Sequence, residues 1–310
     1  MLASYARLSL LCEAAAYAAI AHWVHWLYGW GYPALTAAAL CVAYLNRLLM
    51  VCITTAAARL AAGPRDASQR VPWTGEAAMV LREAWAVAAA QLFQFPFHRW
   101  AVRPDPPAAP TQGIPVILVH GYYSDRGYFG HLVRSLEACG AAPVFTPNFT
   151  SIFASIERFA AELHDEIERI CAGTGAPQVV LVCHSMGGLA ARSYLARHGP
   201  ARVRRLVTIA SPHAGTVHAR LGGGTNARQM RRGSAFLAAL REREGERGPG
   251  CATTSLYTPQ DNLVVPAASS VLPWARNVAI PGLGHVEILR SPRLALEVRA
   301  ELRESGVALR

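Results

Sequence analysis

Two apolar stretches dominate the first sixty residues of this 310-residue chain, 8–28 and 34–58. Each is long enough to cross a hydrocarbon core of about 30 Å. Between them lies an uncharged turn, Gly29-Trp30-Gly31-Tyr32-Pro33, with Trp23, Trp26, Tyr28, Trp30 and Tyr32 gathered around it as an interfacial aromatic belt would be. The pattern predicts a transmembrane helical hairpin over 1–62. A third apolar stretch, 77–98, is split by Arg82 and Glu83, which favours an amphipathic helix at the interface or against a domain over a third span. The proline-rich run Arg103–Pro110 reads as a stiff linker closing a segment 63–113. From Ile114 the period changes. Short β-branched runs at 114–119, 143–147, 178–183, 203–210, 252–257 and 276–280 alternate with helical patterns near 128–139, 152–171 and 186–198. That alternation predicts an α/β domain over 114–310, a mostly parallel sheet flanked by helices, with a long insertion at 213–250.

Charge sharpens the first part of this picture. Glu13 and Arg47 lie nearly equidistant from Gly31, so at about 1.5 Å per residue their depths in an antiparallel hairpin differ by only about 3 Å. Pairing across the hairpin is one expectation; separate snorkelling to the interface is the other. Arg7 precedes the first stretch, and Arg59, Arg65 and Arg70 follow the second, which favours both ends, and the domain behind them, on the cytoplasmic side of a bacterial inner membrane. A third span would reverse that side. The formal net charge is +10 and all 30 basic residues are Arg. The absence of Lys removes Walker A, Schiff-base and kinase-lysine chemistry. No basic run interleaved with aromatics points to nucleic acid. Seven Cys with no CxxC spacing support neither a disulfide framework nor a zinc ribbon.

The strongest chemical signal is Cys183-His184-Ser185-Met186-Gly187-Gly188, directly after Val179-Val180-Leu181-Val182. A sharp strand-to-helix turn would lift the Ser185 hydroxyl above the sheet, with small residues required at 183 and 187. Upstream, His120-Gly121-Tyr122 ends the first strand, where the backbone N–H groups of Tyr122 and Met186 can converge on an oxyanion. The acid and base should follow the serine. Of Asp125, Asp165 and Asp261 only Asp261 follows both Ser185 and a strand, and His285 lies on the glycine-rich loop Pro281-Gly282-Leu283-Gly284-His285. His285 would take the serine proton while Asp261 fixes its tautomer. His120, Gly121, His184 and Gly187 border the site as supporting residues, and His213 shapes a loop beside it. His131, His164, His198 and His218 read as solvated surface. No ligand spacing supports a metal, and no cofactor is expected.

In order along the chain, HGYYSD, VCHSMGGLAAR, TIASPHAGT, ARQMRRGSAFL, YTPQDNLVVP and GLGHVEIL resemble blocks of bacterial triacylglycerol lipases and related serine esterases of the α/β-hydrolase superfamily. The likeness runs over about residues 114–290. It implies an α/β-hydrolase fold, a Ser185-Asp261-His285 triad, an oxyanion hole at Tyr122 and Met186, and hydrolysis of carboxylic esters of apolar acyl groups through an acyl-enzyme. The implied partners are a small-molecule lipid or ester and, through the hairpin, membrane lipid. Two departures stand out: Cys183 replaces the Gly or Ala of the family, and the likeness omits the first 113 residues. Some of these lipases bind structural calcium, but no carboxylate cluster here matches that site. The insertion 213–250, with Gly222-Gly223-Gly224 and an apolar set Met230, Phe236, Leu237 and Leu240, reads as a lid or as a fixed pocket wall. Two other functions use the same features: an acyltransferase with the same triad, and a catalytically silent, membrane-bound interaction module.

Overall fold

The computed structural model describes residues 2–62, 69–141, 143–149 and 152–309. Arg65, counted above among the charges after the second span, lies outside them. Ten α-helices and six strands are formed among the described residues. Helices α1 (Leu2–Tyr28) and α2 (Tyr32–Ala61) form the expected hairpin, turning at Gly29 (φ 69°) with a proline in the first turn of α2. Their outward faces leave Trp26, Leu40, Leu45, Leu49 and Ile53 exposed. Among the described residues one helix, α2, is long and apolar enough to cross a membrane, and only 11% of its most apolar window is buried.

Glu13 and Arg47 meet across the hairpin in a two-pronged ion pair, one prong at 2.6 Å from Arg47 Nη2 to Glu13 Oε2. Tyr17 Oη donates to the same carboxylate at 2.9 Å and Arg47 Nη1 also donates to the Ala43 carbonyl at 3.0 Å. Separate snorkelling is therefore not what the side chains do.

Helix α3 (Trp73–Ala89) runs on through one wide turn at Ala90–Gln94, and α4 (His98–Ala101) is a single turn. Met79, Ala84, Ala86 and Val87 are buried while Trp73, Leu81 and Trp85 are exposed, so α3 packs on its neighbours by one face. Val51 of α2, Ala84 and Val87 of α3 and Val286 share one apolar cluster. The run after α4 is extended, as its prolines dictate, but it lies against the domain. Asp105 accepts from Thr146 N at 3.0 Å and from Arg126 Nη2 at 2.8 Å.

The α/β domain has the predicted alternation. Strands β1 (Val116–Val119), β2 (Val144–Phe145), β3 (Val179–His184), β4 (Val203–Ile209), β5 (Ala252–Tyr257) and β6 (Arg276–Ala279) form one parallel sheet in the order β2-β1-β3-β4-β5-β6. Parallel strands covered on both faces read as continuous apolar runs, which is why VILV and VVLVC were legible. Alternate residues serve opposite layers. Ile117, Val119, Leu181 and Cys183 pack against α6 (Ile156–Thr174) and α7 (Met186–His198); Val116, Leu118, Val180 and Val182 pack against α5 (Gly130–Ala138) and α10 (Pro292–Glu304). Ser155 caps α6 by accepting from Arg158 N, and Gly175 (φ 73°) ends it. The insertion holds α8 (Gly224–Gln229) and α9 (Ala235–Glu244).

Because Glu13 and Arg47 satisfy one another, Glu13→Gln and Arg47→Gln should each lower the thermal unfolding temperature in detergent, at a cost of about 1–2 kcal/mol. The double variant should lose no more than the worse single one. Additive losses would show that the pair is not coupled.

Candidate active site

Ser185 sits between β3 and α7 at φ 55° and ψ −126°, a left-handed conformation that a non-glycine residue adopts only where its surroundings enforce it. Ser185 N donates to Ile209 O on β4 at 2.8 Å, and the following turn is too tight for a side chain at 187: a Cβ on Gly187 would lie 2.5 Å from Val119 O. From the loop after β6, His285 Nε2 reaches Ser185 Oγ at 3.1 Å, while its Nδ1 lies 2.9 Å from Asp261 Oδ2 and 3.1 Å from Oδ1. Asp261, on the loop after β5, is itself held by Leu263 N and Val264 N, each donating to Oδ1 at 2.8 Å. An ionised carboxylate only accepts, so the His285 proton is on Nδ1 and the Nε2 lone pair faces the serine hydroxyl. That is the arrangement a general base for Ser185 requires.

The neighbouring residues explain its rigidity. A Cβ on Gly121 would stand 2.8 Å from Ser185 Cβ and 3.1 Å from Met186 N, so glycine there lets the Tyr122 and Met186 segments come together beside the hydroxyl. His120 is buried and held neutral: Phe149 N donates to its Nε2 at 3.1 Å, its Nδ1 faces Gly121 O at 3.2 Å, and burial drives its pKa down to about 4. His184, also driven down by burial, donates from Nε2 to the His285 carbonyl at 3.1 Å. For His285 burial disfavours the charged form, but the charge and hydrogen bond of Asp261, together with the charge of Glu83, prevail and its pKa is raised.

A model of the α/β hydrolase fold matches residues 114–233. The residues so matched lie in the parallel sheet and its helices, which have the α/β hydrolase fold. The triacylglycerol lipase of Pseudomonas fragi is 33% identical over 141 residues, 41% of this chain and 47% of that protein. The triacylglycerol lipase of Burkholderia plantarii is 32% identical over 145 residues, 43% and 40% of the two chains. The chain thus matches less than half the length of these curated relatives. In structure it is similar to Bacillus licheniformis lipase BlEst2 in its mature form (TM-score 0.53, 19% identity, covering 65% of this chain and 94% of that one). It is also similar to Aspergillus fumigatus lipase B (TM-score 0.54, 20% identity, 61% and 52%). At those identities the structures speak to the fold alone.

Within the α/β domain, Cys183 is fully buried in the core facing α6 and α7, so it serves as a small apolar residue there. Asp125 stays away from the triad: it accepts from Gly127 N at 2.8 Å and faces His98 at 3.5 Å, with burial pushing its pKa up to about 7. Asp165 is exposed on α6 and also lies apart from the triad. His131 and His198 are exposed, and His164 stacks on His198 with ring centroids 4.0 Å apart. His218 departs from the expectation of solvated surface. It is half-buried, with Nδ1 3.3 Å from Leu263 O, and lines the cavity at Ser185. His213 is buried, bridging Thr208 Oγ1 at 3.0 Å and Arg192 at 3.2 Å. Among the described residues no cluster suited to a metal ion is formed.

The cavity at Ser185 measures about 370 Å³, within the size range of ligand pockets. Tyr122, Leu221, Met230 and Val264 give it an apolar lining, and Met50 and Thr54 of α2 close one side. The insertion is fastened rather than loose. Tyr122 Oη accepts from Gly223 N and donates to Gly223 O, both at 3.0 Å, and Arg192 pairs with Glu244 of α9, both fully desolvated, at 2.7 Å. The apolar set of the insertion is divided: Met230 ends α8, whereas Leu237 and Leu240 are the buried apolar residues of α9.

Three site residues escaped the sequence reading. Asn262 accepts from His285 N at 3.1 Å and donates to Thr54 Oγ1 at 3.0 Å. Glu83 of α3 is fully buried behind the histidine loop, accepting from Val286 N at 3.0 and 3.1 Å and from Glu287 N at 2.7 Å. Thr54 arrives from α2. The available signal was the Arg82-Glu83 pair inside an apolar stretch, which marks a charge that must find partners.

Burial raises the Glu83 pKa from 4.5 to about 7, against the opposing pull of the Glu287 and Val286 amides. Between those pH values the folded chain binds a proton that the unfolded chain has released, so this group's contribution to stability declines as pH rises from about 4.5 to 7. The decline amounts to about 3 kcal/mol. Glu83→Gln should remove that slope. Urea midpoints of both proteins at pH 5 and pH 8 test this, and an equal pH dependence in the two would contradict it.

Proposed function

We propose that this protein is a membrane-associated serine esterase of the lipase type, cleaving carboxylic esters of apolar acyl groups through an acyl-enzyme. The observation that carries the reading is the unbroken line from Asp261 through His285 to Ser185 Oγ, opening on an apolar cavity. His285 takes the Ser185 proton as Oγ attacks the ester carbon, and the Tyr122 and Met186 amides receive the oxyanion. The imidazolium then protonates the leaving alcohol. Water, deprotonated by the same imidazole, attacks the acyl-enzyme and releases the acid. The likeness to triacylglycerol lipases supports an ester substrate.

The position of the cavity supports a substrate dissolved in the bilayer. Met50 lies about 28 Å along α2 from the aromatic turn at Gly31, close to one hydrocarbon thickness. The cavity wall therefore falls at the membrane face opposite that turn, which the Arg distribution assigns to the cytoplasm. The fastened insertion supports a fixed wall to the cavity rather than a free lid.

A fluorophosphonate probe should label the full-length protein at Ser185, and Ser185→Ala should abolish labelling and lower ester turnover by at least about 10⁴-fold. Equal labelling of both proteins would falsify the nucleophile assignment. Met50→Asp places a charge where the lipid would enter. Hydrolysis of an ester embedded in phospholipid vesicles should fall about tenfold or more, with a short water-soluble ester much less affected. Equal losses on the two substrates would count against entry from the bilayer.

A further inference from the structure

The loop that carries the catalytic imidazole is held by a residue from outside the α/β domain. We propose that Glu83 of α3 is a positioning residue for His285: its carboxylate gathers the backbone N–H groups of Val286 and Glu287 and so fixes the loop from which the imidazole projects. The inference rests on the serine-hydrolase reading and goes beyond it, because the first 113 residues lie outside the likeness to lipases.

Four polar groups of the loop backbone, the N–H groups of three successive residues and the His285 carbonyl, are each taken by a side chain. Asn262 accepts from His285 N, His184 donates to His285 O, and Glu83 accepts from Val286 N and Glu287 N. Asn262 and His184 adjoin Asp261 and Ser185 in sequence, so two of the three holders come from the triad's own loops. Glu83 is separated from the loop by about two hundred residues of chain. Its place is nevertheless reserved. A Cβ on Gly284 would stand 2.4 Å from the Glu83 carboxyl carbon and from Oε2. Gly284 is not among the glycines at positive φ, so the closeness of this carboxylate, rather than the backbone, excludes a side chain there.

The adjacent residue strengthens the grip. Arg82 pairs with Glu287 and donates from Nη2 to Gly282 O at 2.9 Å, so α3 holds the loop on both sides of His285. The Val286 side chain is buried with Val51, Ala84 and Val87. Docking a helix needs only apolar contact, whereas a desolvated carboxylate is costly unless its acceptors are filled. Here they are filled by the two amides that follow the base. The titratable groups facing His285 are Asp261 from the loop after β5, His184 from the end of β3, Ser185, and Glu83 itself; Tyr128 faces both His184 and Glu83. Above its pKa of about 7, Glu83 also adds negative charge beside the imidazolium that forms when Ser185 loses its proton.

The test uses the full-length protein in detergent with a short water-soluble ester. Glu83→Gln keeps the size and removes the charge. We expect kcat to fall roughly 10- to 100-fold with KM changed by no more than about twofold. Fluorophosphonate labelling should slow in step with kcat. A folded Glu83→Gln protein with unchanged kcat, or with a loss carried by KM rather than by kcat, would overturn the proposal. If Glu83→Gln does not fold, Gly284→Ala displaces the carboxylate without removing it and should give the same loss of kcat. Joined to Glu83→Ala, it should add nothing further, and additive losses would overturn the proposal. Wild-type labelling and turnover are measured first. Their absence would overturn the hydrolase reading and this proposal with it, whereas an active wild type with an indifferent Glu83→Gln overturns only the role of Glu83.

Discussion

An imidazole accepts a proton from a serine only if its ring nitrogen is held on the hydroxyl, and nothing in a parallel sheet holds the loop that carries it. The sheet fixes Ser185 directly, since β3 is a central strand and Ser185 N still bonds to β4. The loop between β6 and α10 has no such ladder. Its backbone groups must be filled by side chains, and Asn262, His184 and Glu83 fill them. The 3.1 Å separation of His285 Nε2 from Ser185 Oγ depends on those contacts as much as on Asp261.

This constraint brings the N-terminal helices up to the candidate site. A hairpin serving only as an anchor could be joined to the domain by a free linker. Instead α3 lies between α2 and the histidine loop, the cluster of Val51, Ala84, Val87 and Val286 fills the space between them, and Thr54 of α2 bonds to Asn262. The same helix lends Met50 to the cavity wall. Two costly burials, the Glu13–Arg47 pair in the hairpin and Glu83 behind the site, are tolerated because each carboxyl group is hydrogen-bonded.

What was legible in the sequence followed from local rules. The strands of the parallel sheet are short apolar runs. The serine turn declares itself because Gly187 and Ser185 lie within three residues of each other. Asp261 and His285 follow strands in the order the fold requires. What was not legible depends on contacts between residues far apart in the chain. His218 reads as polar surface until the insertion folds it toward Leu263, and Met230 separates from Leu237 only because a turn at 231–234 splits the insertion into two short helices. Arg82-Glu83 marked charges that need partners, but no periodicity could say that those waiting for Glu83 were two amides of a loop.

The hidden residue had a visible counterpart. Glycine at 284 is readily passed over in Pro281-Gly282-Leu283-Gly284-His285, where flexibility seems reason enough for two glycines. The two differ physically. Gly282 has φ 83° and needs its freedom of conformation; Gly284 does not, and the room left by its missing side chain is occupied by the Glu83 carboxylate. A glycine beside a catalytic residue that is not required by its own backbone marks a close approach by something else. Here that is the carboxyl group of a helix packed on the hairpin, and it ties the loop of His285 to the N-terminal helices.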